Sequence, residues 1–276
     1  MGYIPILHPL MENEPNIFAE INYDKRYTTL GDITRDGDHI HDFYEIYVNI
    51  SGDVSFLVDD QVYAVDRGDV IVSAPNEIHR CIYHSDCMHE HFCIWIKDLP
   101  FSDGGNAERF TKNKRVVLSD EEKVLLIAQC HTFYKCRSGE VSLRYRAVQS
   151  FFGILDLICT HGTAGSAAEP LPADFSEIVE YISKRFTEPT CTVAMICEAF
   201  YISKSTLCRR FRRYFQTTPS DYIESKRFSE AKKLLASGQS VQNACLSSGF
   251  SDCSYFIMRF RHKFGVTPYR YQKEFL

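Results

Sequence analysis

The sequence lacks the features of a membrane protein or an exported protein. No run of apolar residues approaches the roughly 20 that a membrane-spanning helix needs. The first residues, MGYIPILHPLMENEP, have neither the basic start nor the long apolar stretch of an export signal. Hydrophobic residues make up 45% of the chain and charged residues 24%, which excludes disordered and collagen-like proteins. We therefore expect a cytoplasmic globular protein without a membrane partner.

A regular cysteine framework is also missing, although the chain has 11 cysteines. Their number is odd, and they are scattered through apolar patterns instead of following the spacing of a disulfide-rich domain. We expect reduced thiols that are mostly small buried side chains. No cofactor is expected.

Positive charge is scarce in most of the chain and concentrated at one end. The formal net charge is −5. Residues 174–276 contain 16 Lys and Arg against 10 Asp and Glu, whereas residues 1–173 contain 15 against 26. An acidic body joined to a basic C-terminal third indicates that this third contacts a polyanion.

The change in charge coincides with a segment that is typical of a linker. HGTAGSAAEPLPA is rich in Gly, Ala, Ser and Pro and has no apolar periodicity. We place the domain boundary there. The predicted organisation is a strand-rich domain at 1–118, a helical hairpin at 119–162, a linker at 163–173 and a helical domain at 174–276.

Short β-type runs separated by turn residues fill the N-terminal part. The runs are FYEIYVNISGD, VSFLVDDQVYAV, DRGDVIVSAP, HRCIYHSDC and MHEHFCIWI, and Gly, Asp, Asn and Pro punctuate them. Closely spaced strands of this kind favour a small antiparallel barrel or sandwich. The fold class is therefore α+β.

A helical hairpin follows the strands. SDEEKVLLIAQCHTFYKC opens with a Ser-x-x-Glu capping box formed by Ser119 and Glu122. The turn CRSGE then leads into the apolar segment LRYRAVQSFFGILDLIC. Its apolar faces have two possible partners, the barrel or a second subunit, and we expect a homodimer.

The C-terminal third contains an internal repeat. STLCRRFRRYFQTTPSDY (205–222) aligns with SYFIMRFRHKFGVTPYRY (254–271) at a shift of 49 residues. Upstream, VAMICEAFY aligns with VQNACLSSG at a shift of 48 and matches Cys197 to Cys245. Each copy indicates a short helix, a tight turn near Tyr201 or Gly249, and a longer helix.

The longer helix of each copy has one aromatic face and one polar face. Leu207, Phe211 and Phe215 fall at i, i+4 and i+8, which indicates core packing and not base stacking. The same spacing in the second copy predicts a core of Phe256, Phe260 and Phe264. An arginine-rich surface on one helix is explained by simple solvation, but two such helices in the basic part of the chain favour a phosphate backbone.

The segment GFSDCSYFIMRFRHKFGVTPYRY resembles the signature of the AraC/XylS family of bacterial transcription regulators. The resemblance covers about 100 residues, Asp174 to Phe275. It implies a seven-helix domain with two helix–turn–helix units, whose recognition helices enter successive major-groove segments of promoter DNA. It also implies a regulator that works with RNA polymerase.

The resemblance assigns roles to side chains on the two recognition helices. Arg209 is the best candidate for direct readout, because arginine pairs with guanine O6 and N7. Many relatives have arginine where this chain has Met258 and an apolar residue where it has Arg259, which puts base reading by the second helix in question. The predicted base contacts are Ser205, Cys208, Arg209, Cys253, Ser254, Ile257 and Met258. The predicted phosphate contacts are Lys204, Arg212, Arg213, Arg261 and Lys263.

The N-terminal domain is similar to the cupin-like effector domains of sugar-responsive members of this family. HIHDFYEIYVNISG carries the first cupin motif, whereas the second motif around PNEIH is one residue short. Three interpretations compete: a metalloenzyme, a structural metal site, and a metal-free pocket for a small molecule such as a carbohydrate. A metal would use His39, His41, Glu45 and His79. The predicted effector pocket is His41, Glu45, His79, Tyr83 and Trp95.

We interpret the protein as a DNA-binding transcription regulator that responds to a small-molecule effector and is not an enzyme. Two alternatives remain at this point. One is a cupin metalloenzyme fused to a DNA-binding domain, and the other is a regulator that needs no effector.

Overall fold

The structure is a computed structural model, and it describes residues 19–30, 39–97, 99, 110, 114–137, 141–161, 163–164 and 170–273. The chain forms two compact units. The first contains most of the described residues before Pro170, and the second contains 170–273 together with the short segments 39–40 and 76–80. Among the described residues, no helix has both the length and the apolar content needed to cross a membrane.

Among the residues that the structure describes, nine strands before residue 165 form two sheets. They are β1 (Ala19–Thr28), β2 (Tyr44–Ser51), β3 (Val54–Val58), β4 (Gln61–Val65), β5 (Val70–Ser73), β6 (His79–Tyr83), β7 (Cys87–Ile96), β8 (Arg115–Val117) and β9 (Thr163–Ala164). The larger sheet has the order β1-β7-β2-β5-β8-β9, and the smaller has the order β4-β3-β6. The prediction of an antiparallel β-domain is confirmed.

Alternation along β2 and β7 sends side chains to two different environments. Glu45 lies opposite Trp95 and Tyr47 opposite Cys93 in the β2–β7 ladder. These odd-numbered residues face the smaller sheet, where Tyr47 packs in one cluster with Phe56 of β3. Successive side chains of a strand point to opposite faces, so the even-numbered residues form a separate apolar surface.

That second surface is covered by the helical hairpin. Helix α1 (Asp120–Cys136) and helix α2 (Val141–Asp156) pack Leu126, Phe133 and Phe151 against Ile46 and Ile94 of the sheet. A single π-helical turn, Leu157–His161, follows α2. The capping box at the start of α1 is present, with Ser119 and Glu122 satisfying each other's backbone N–H groups. The turn residues 138–140 lie outside the described residues.

A buried ion pair ties α1 to the sheet. The carboxylate of Asp69 is fully buried and accepts hydrogen bonds from Arg115 Nε at 3.0 Å and Nη2 at 2.6 Å. Lys123 of α1 lies 3.0 Å from the other carboxylate oxygen. Two cations therefore compensate one buried charge, which a buried carboxylate requires.

Seven helices make up the described C-terminal part, as the family resemblance implies. They are α3 (Ala173–Arg185), α4 (Val193–Ala199), α5 (Lys204–Phe215), α6 (Pro219–Ala236), α7 (Val241–Ser247), α8 (Cys253–Phe264) and α9 (Pro268–Lys273). The long helix α6 connects the two repeats and buries Tyr222, Phe228 and Leu235.

Two features differ from the sequence analysis. The edge strand β1 was not among the predicted runs, because AEINYDKRYT is interrupted by charged residues that an edge position tolerates. Thr163 and Ala164, placed in the linker by composition, pair with Val117 and Val116 of β8. Backbone pairing of this kind needs no apolar periodicity. Residues 165–169 of the predicted linker lie outside the described residues.

Candidate nucleic-acid interface and effector site

The first helix–turn–helix consists of α4, a tight turn and α5. Tyr201 adopts a left-handed conformation with φ +51° in the turn, and its side chain is 95% exposed. The side chain of Ser203 caps α5 by accepting a hydrogen bond from the Thr206 backbone N–H. Leu207, Phe211 and Phe215 are fully buried, which confirms the predicted core face.

The second unit repeats this arrangement with α7 and α8. Gly249 occupies the turn with φ +94°, and a Cβ there would lie 2.6 Å from the Phe186 carbonyl oxygen. Only glycine fits such a position without strain. Asp252 caps α8 by accepting hydrogen bonds from Ser254 N and Tyr255 N. Phe256 and Phe260 are buried as predicted, whereas Phe264 is only half-buried.

The side of α5 away from the core carries the predicted DNA-contacting residues. Ser205, Arg209, Arg212 and Arg213 are exposed, and Cys208 is half-buried. Lys204, the first residue of the helix, is exposed as well. Arg210 is different, because its guanidinium pairs with Asp174 of α3 at 2.5 Å. The cationic surface is therefore formed by Arg209, Arg212 and Arg213.

The corresponding surface of α8 is less basic and more apolar. Ser254, Ile257, Met258 and Arg261 are exposed, and the exposed fraction reaches 59% for Met258. Lys263 is half-buried, and its Nζ donates a hydrogen bond to Ser225 Oγ on α6 at 2.9 Å. Cys253 is also half-buried, with its thiol against Cys245. The geometry thus argues against a phosphate contact from Lys263.

Arg259, the unusual residue noted in the sequence, ties α8 to the connecting helix α6. Its Nε and Nη2 donate to the two carboxylate oxygens of Glu224 at 3.0 and 2.6 Å, and Tyr255 Oη donates to the same carboxylate at 3.0 Å. Burial opposes the ionisation of Glu224, but these hydrogen bonds and the Arg259 charge outweigh it. The pKa of Glu224 therefore lies below its ordinary value.

A second arginine holds α6 to the first half of the domain. Arg227 donates to the carbonyl oxygens of Phe186 at 2.7 Å, Glu188 at 2.9 Å and Cys191 at 3.1 Å. Between these two arginine contacts lies an open cleft of about 700 Å³. The cleft lies between the N-terminal ends of α5 and α8, where Lys204 and Asp252 contribute to its walls.

In the strand domain, the predicted pocket residues His41 and Trp95 both contact the carboxylate of Glu45. Glu45 is 5% exposed, and its Oε2 lies 3.2 Å from His41 Nε2 and accepts a 2.7 Å hydrogen bond from Trp95 Nε1. Phe43 stacks on the His41 ring at a centroid distance of 3.7 Å and also contacts Trp95. A buried acceptor flanked by aromatic rings suits a small polar ligand.

Tyr83, a predicted pocket residue, lies in a neighbouring group with His89 and Tyr47, which the sequence analysis did not include. Its ring contacts His89, whose Nε2 lies 2.8 Å from the hydroxyl of Tyr47. Burial is the main reason why the pKa of Tyr47 lies far above its ordinary value. Tyr47 and Asn49 share the strand face of Glu45, so period-two alternation was the signal that placed them in the same interior.

His39 and His79, the other two histidines among the candidate metal ligands, pair with each other. His39 and His79 exchange backbone hydrogen bonds of 2.9 and 3.2 Å, and their ring centroids are 5.9 Å apart. His79 opens β6 and is 1% exposed. The contacts of His79 with His39 are therefore backbone pairing and ring packing.

Comparisons with known families agree with both halves of this architecture. A model described as a helix-turn-helix domain matches residues 196–274, and one described as an AraC-like ligand binding domain matches residues 31–96. The chain belongs to the AraC family of transcription regulators. It is therefore a DNA-binding transcription regulator with a ligand-binding domain.

Curated relatives of this AraC-family regulator are themselves named as transcription regulators. The chain is 26% identical over 230 residues to the uncharacterized HTH-type transcriptional regulator YbfI of Bacillus subtilis, which covers 79% of this chain and 80% of the relative. It is 24% identical over 254 residues to the HTH-type transcriptional activator RhaR of Mannheimia succiniciproducens. This alignment covers 86% of this chain and 87% of the relative.

Solved structures also resemble this regulator. One is the C-terminal domain of the response regulator yesN from Fusobacterium nucleatum, which is 26% identical and matches 37% of this chain and 99% of that chain with a TM-score of 0.35. Another is ToxT from Vibrio cholerae, which is 15% identical and matches 92% of this chain and 96% of that chain with a TM-score of 0.36.

Proposed function

We propose that α5 and α8 are the two recognition helices and that they read two successive major-groove segments of an operator. The observation that carries this proposal is the duplication of one unit, in which each longer helix buries its aromatic face and exposes the opposite face. A helix–turn–helix needs such an exposed second helix, because the major groove admits the helix side-on.

The two helices contribute differently to recognition. Arg209 on α5 reads guanine, while Ile257 and Met258 on α8 contact thymine methyl groups. Arg212 and Arg213 bind phosphates and fix the register of the complex. The proposed base contacts are Ser205, Cys208, Arg209, Ser254, Ile257 and Met258, and the proposed phosphate contacts are Lys204, Arg212, Arg213 and Arg261. Cys253 and Lys263, which the sequence analysis also predicted, are left out because the Cys253 thiol lies against Cys245 and Lys263 Nζ donates to Ser225.

The test is selection of bound fragments from the host genome by the purified full-length protein, followed by fluorescence anisotropy on the selected sequence. We expect a specific site whose affinity falls steeply with salt, since phosphate contacts release counterions. Equal affinity for the selected and a scrambled duplex, or binding that salt does not change, would contradict the proposal. The genes next to the recovered fragments are then the candidate target genes.

We infer that the strand domain binds a small polar effector without metal, and that a carbohydrate is the favoured class. The buried Glu45 carboxylate and the Trp95 ring support this, since sugars offer hydroxyl donors and an apolar ring face to such a pair. The effector acts by favouring one arrangement of the DNA-binding domains in a dimer. A thermal-shift screen of sugars on the full chain tests this, with Glu45→Gln losing any shift.

We also propose that the protein forms a homodimer and is not an enzyme. The face of α1 turned away from the sheet exposes Val124 by 70% and Leu125 by 48%, which supports a helix-mediated contact between two copies. Val124→Glu should shift the sedimentation coefficient to that of a monomer, whereas Glu121→Lys on the same helix should not. We propose that the regulator works in the cytoplasm together with RNA polymerase.

The metalloenzyme alternative makes a different prediction. Stoichiometric iron or manganese in protein purified without chelator, lost on changing His41 or Glu45 to alanine, would favour an enzyme. The effector-independent alternative requires that no compound in the screen changes the melting temperature or the DNA affinity.

A further inference from the structure

Two thiols of the second helix–turn–helix lie against each other. Cys245 is on α7, Cys253 is the first residue of α8, and their Sγ atoms are 3.1 Å apart. Both are free cysteines. A disulfide bond is about 2.05 Å long, so the sulfurs need to approach by only about 1 Å to form one.

The two thiols have different surroundings. Cys245 is fully buried, whereas Cys253 is half-buried at the N-terminus of its helix. Burial, followed by the hydrogen bond from Cys253, raises the pKa of Cys245 to about 12. Cys245 is therefore a protonated thiol at neutral pH, and a dissolved oxidant reaches Cys253 first.

We propose that Cys245 and Cys253 form a peroxide-sensitive modification site, in which an intramolecular disulfide displaces α8 and weakens DNA binding. Cys253 sulfur attacks one oxygen of hydrogen peroxide, the O–O bond breaks, and a sulfenic acid and one water form. Cys245 sulfur then attacks Cys253 sulfur and the S–O bond breaks. The leaving hydroxide takes the Cys245 proton as a second water, so two thiol sulfurs lose two electrons and peroxide gains them.

The effect on DNA rests on the proposed role of α8 as a recognition helix. Closing the gap between the sulfurs pulls the first turn of α8 toward α7, and Ser254 lies in this turn and Ile257 directly after it. Contacts to base edges depend on side-chain placement within a fraction of an ångström. Cytosolic disulfides are usually transient, so cellular thiols reverse the change once the oxidant is gone.

The first helix–turn–helix supplies a matched internal control. Cys197 occupies the position equivalent to Cys245, but Lys204 stands where the second unit has Cys253. The first unit has a second thiol, Cys208 on α5, but it has none at the position equivalent to Cys253. Peroxide should leave Cys197 able to react with an alkylating reagent under conditions that link Cys245 to Cys253.

The experiment treats the full-length protein with hydrogen peroxide, blocks remaining thiols with iodoacetamide and maps them by mass spectrometry, in parallel with anisotropy on the selected operator. We expect a peptide linking Cys245 to Cys253, an affinity lower by roughly tenfold, which corresponds to about 1.4 kcal/mol, and recovery with dithiothreitol. Cys253→Ser should remove both the link and the loss of affinity. Cys197→Ser should change neither.

Several results would overturn the proposal. Cys253 converted to sulfinic acid without any link to Cys245 is one, and unchanged affinity of the linked protein is another. Cys253→Ser, at the less buried position, keeps the test valid if Cys245→Ala fails to fold. Untreated protein that binds no operator would instead refute the proposed function, while the peptide map would still decide whether the disulfide forms.

Discussion

Arg259 of α8 and Glu224 of α6 form a bidentate ion pair, with both carboxylate oxygens accepting from the guanidinium at 3.0 and 2.6 Å. Arg227, one turn further along α6, reaches three backbone carbonyls near the start of α4. The connecting helix is thus fixed by arginine hydrogen bonds to the second recognition helix on one side and to the first repeat on the other.

Replacing Glu224 with glutamine should destabilise the helical domain by about 1–2 kcal/mol, because charge-assisted hydrogen bonds to a half-buried carboxylate are lost. Urea unfolding followed by circular dichroism at 222 nm measures this. Since the pKa of Glu224 is lowered in the folded state, its contribution is present above the ordinary value of 4.5 and disappears as pH falls through the folded value.

Glu230→Gln on the same helix is the matched control for Glu224→Gln. Fluorescence of Trp95, the single tryptophan, reports on the strand domain and should not respond to either change. A loss of stability in Glu224→Gln that does not shrink anywhere as the pH is lowered from 7 to 2 would show that the ion pair is not its cause.

Arg209→Ala and Arg213→Ala should weaken DNA binding in different ways. Arg209→Ala should cost about 1–3 kcal/mol on the selected operator and relax sequence preference, because a base contact is lost. Arg213→Ala should weaken all sequences similarly and lower the salt slope by about one unit, because a phosphate contact is lost. Anisotropy titrations on the operator and on random duplex, each at several salt concentrations, distinguish the two.

Arg210→Ala is the control on the same helix, since Arg210 is paired with Asp174. Its salt slope and sequence preference should match those of the unaltered protein. Arg209→Ala with equal losses on operator and random DNA would remove Arg209 from the base-reading set.

Asp69→Ala should destabilise the strand domain by about 3–5 kcal/mol, because Arg115 and Lys123, both largely buried, lose the buried carboxylate that compensates their charges. Trp95 fluorescence during urea unfolding measures the loss. Asp66→Ala is the control, since this carboxylate is 82% exposed and lies 3.7 Å from Arg115, so its effect should stay within about 0.5 kcal/mol. Similar losses in both variants would contradict the assigned role of burial.

Tyr23 and Glu90 should show a coupling of about 1 kcal/mol in a double-mutant cycle of Tyr23→Phe and Glu90→Gln. Tyr23 Oη donates to Glu90 Oε1 at 2.6 Å, and this hydrogen bond is the main cause of the lowered pKa of Glu90. The same bond, with burial, raises the pKa of Tyr23 from 10.0 to about 12.

The pH dependence of this coupling follows from the two shifts. It should be full between about pH 4.5 and 10, fall as pH drops through the lowered pKa of Glu90, and fall again as pH rises through 12. Urea unfolding of the four proteins at several pH values between 2 and 9 measures the acid side. Coupling that stays constant at every pH from 7 down to 2 would exclude the charged hydrogen bond as its source.

Local periodicity made the helix and strand faces predictable. Phe211 and Phe215 were assigned to the core from their four-residue spacing, and both are fully buried. The cap at Ser119 and the turn at Gly249 were predictable from residue type. A serine side chain accepts a hydrogen bond at a helix N-terminus, and glycine permits a left-handed backbone conformation. The sequence analysis assigned Glu45 and Trp95 to the effector pocket but did not include Tyr47 and His89, although strand alternation places these on the same faces.

The sequence by itself determined the repeat, the faces of its helices and the basic character of its C-terminal third, because these depend on neighbours within a few residues. Only the tertiary structure decided that Arg259 meets Glu224, that Lys263 turns to Ser225 and that Cys253 touches Cys245. These partners are 8 to 38 residues apart, and no local period relates them. Their meeting depends on how two helices cross, which the packing of all the side chains between them sets.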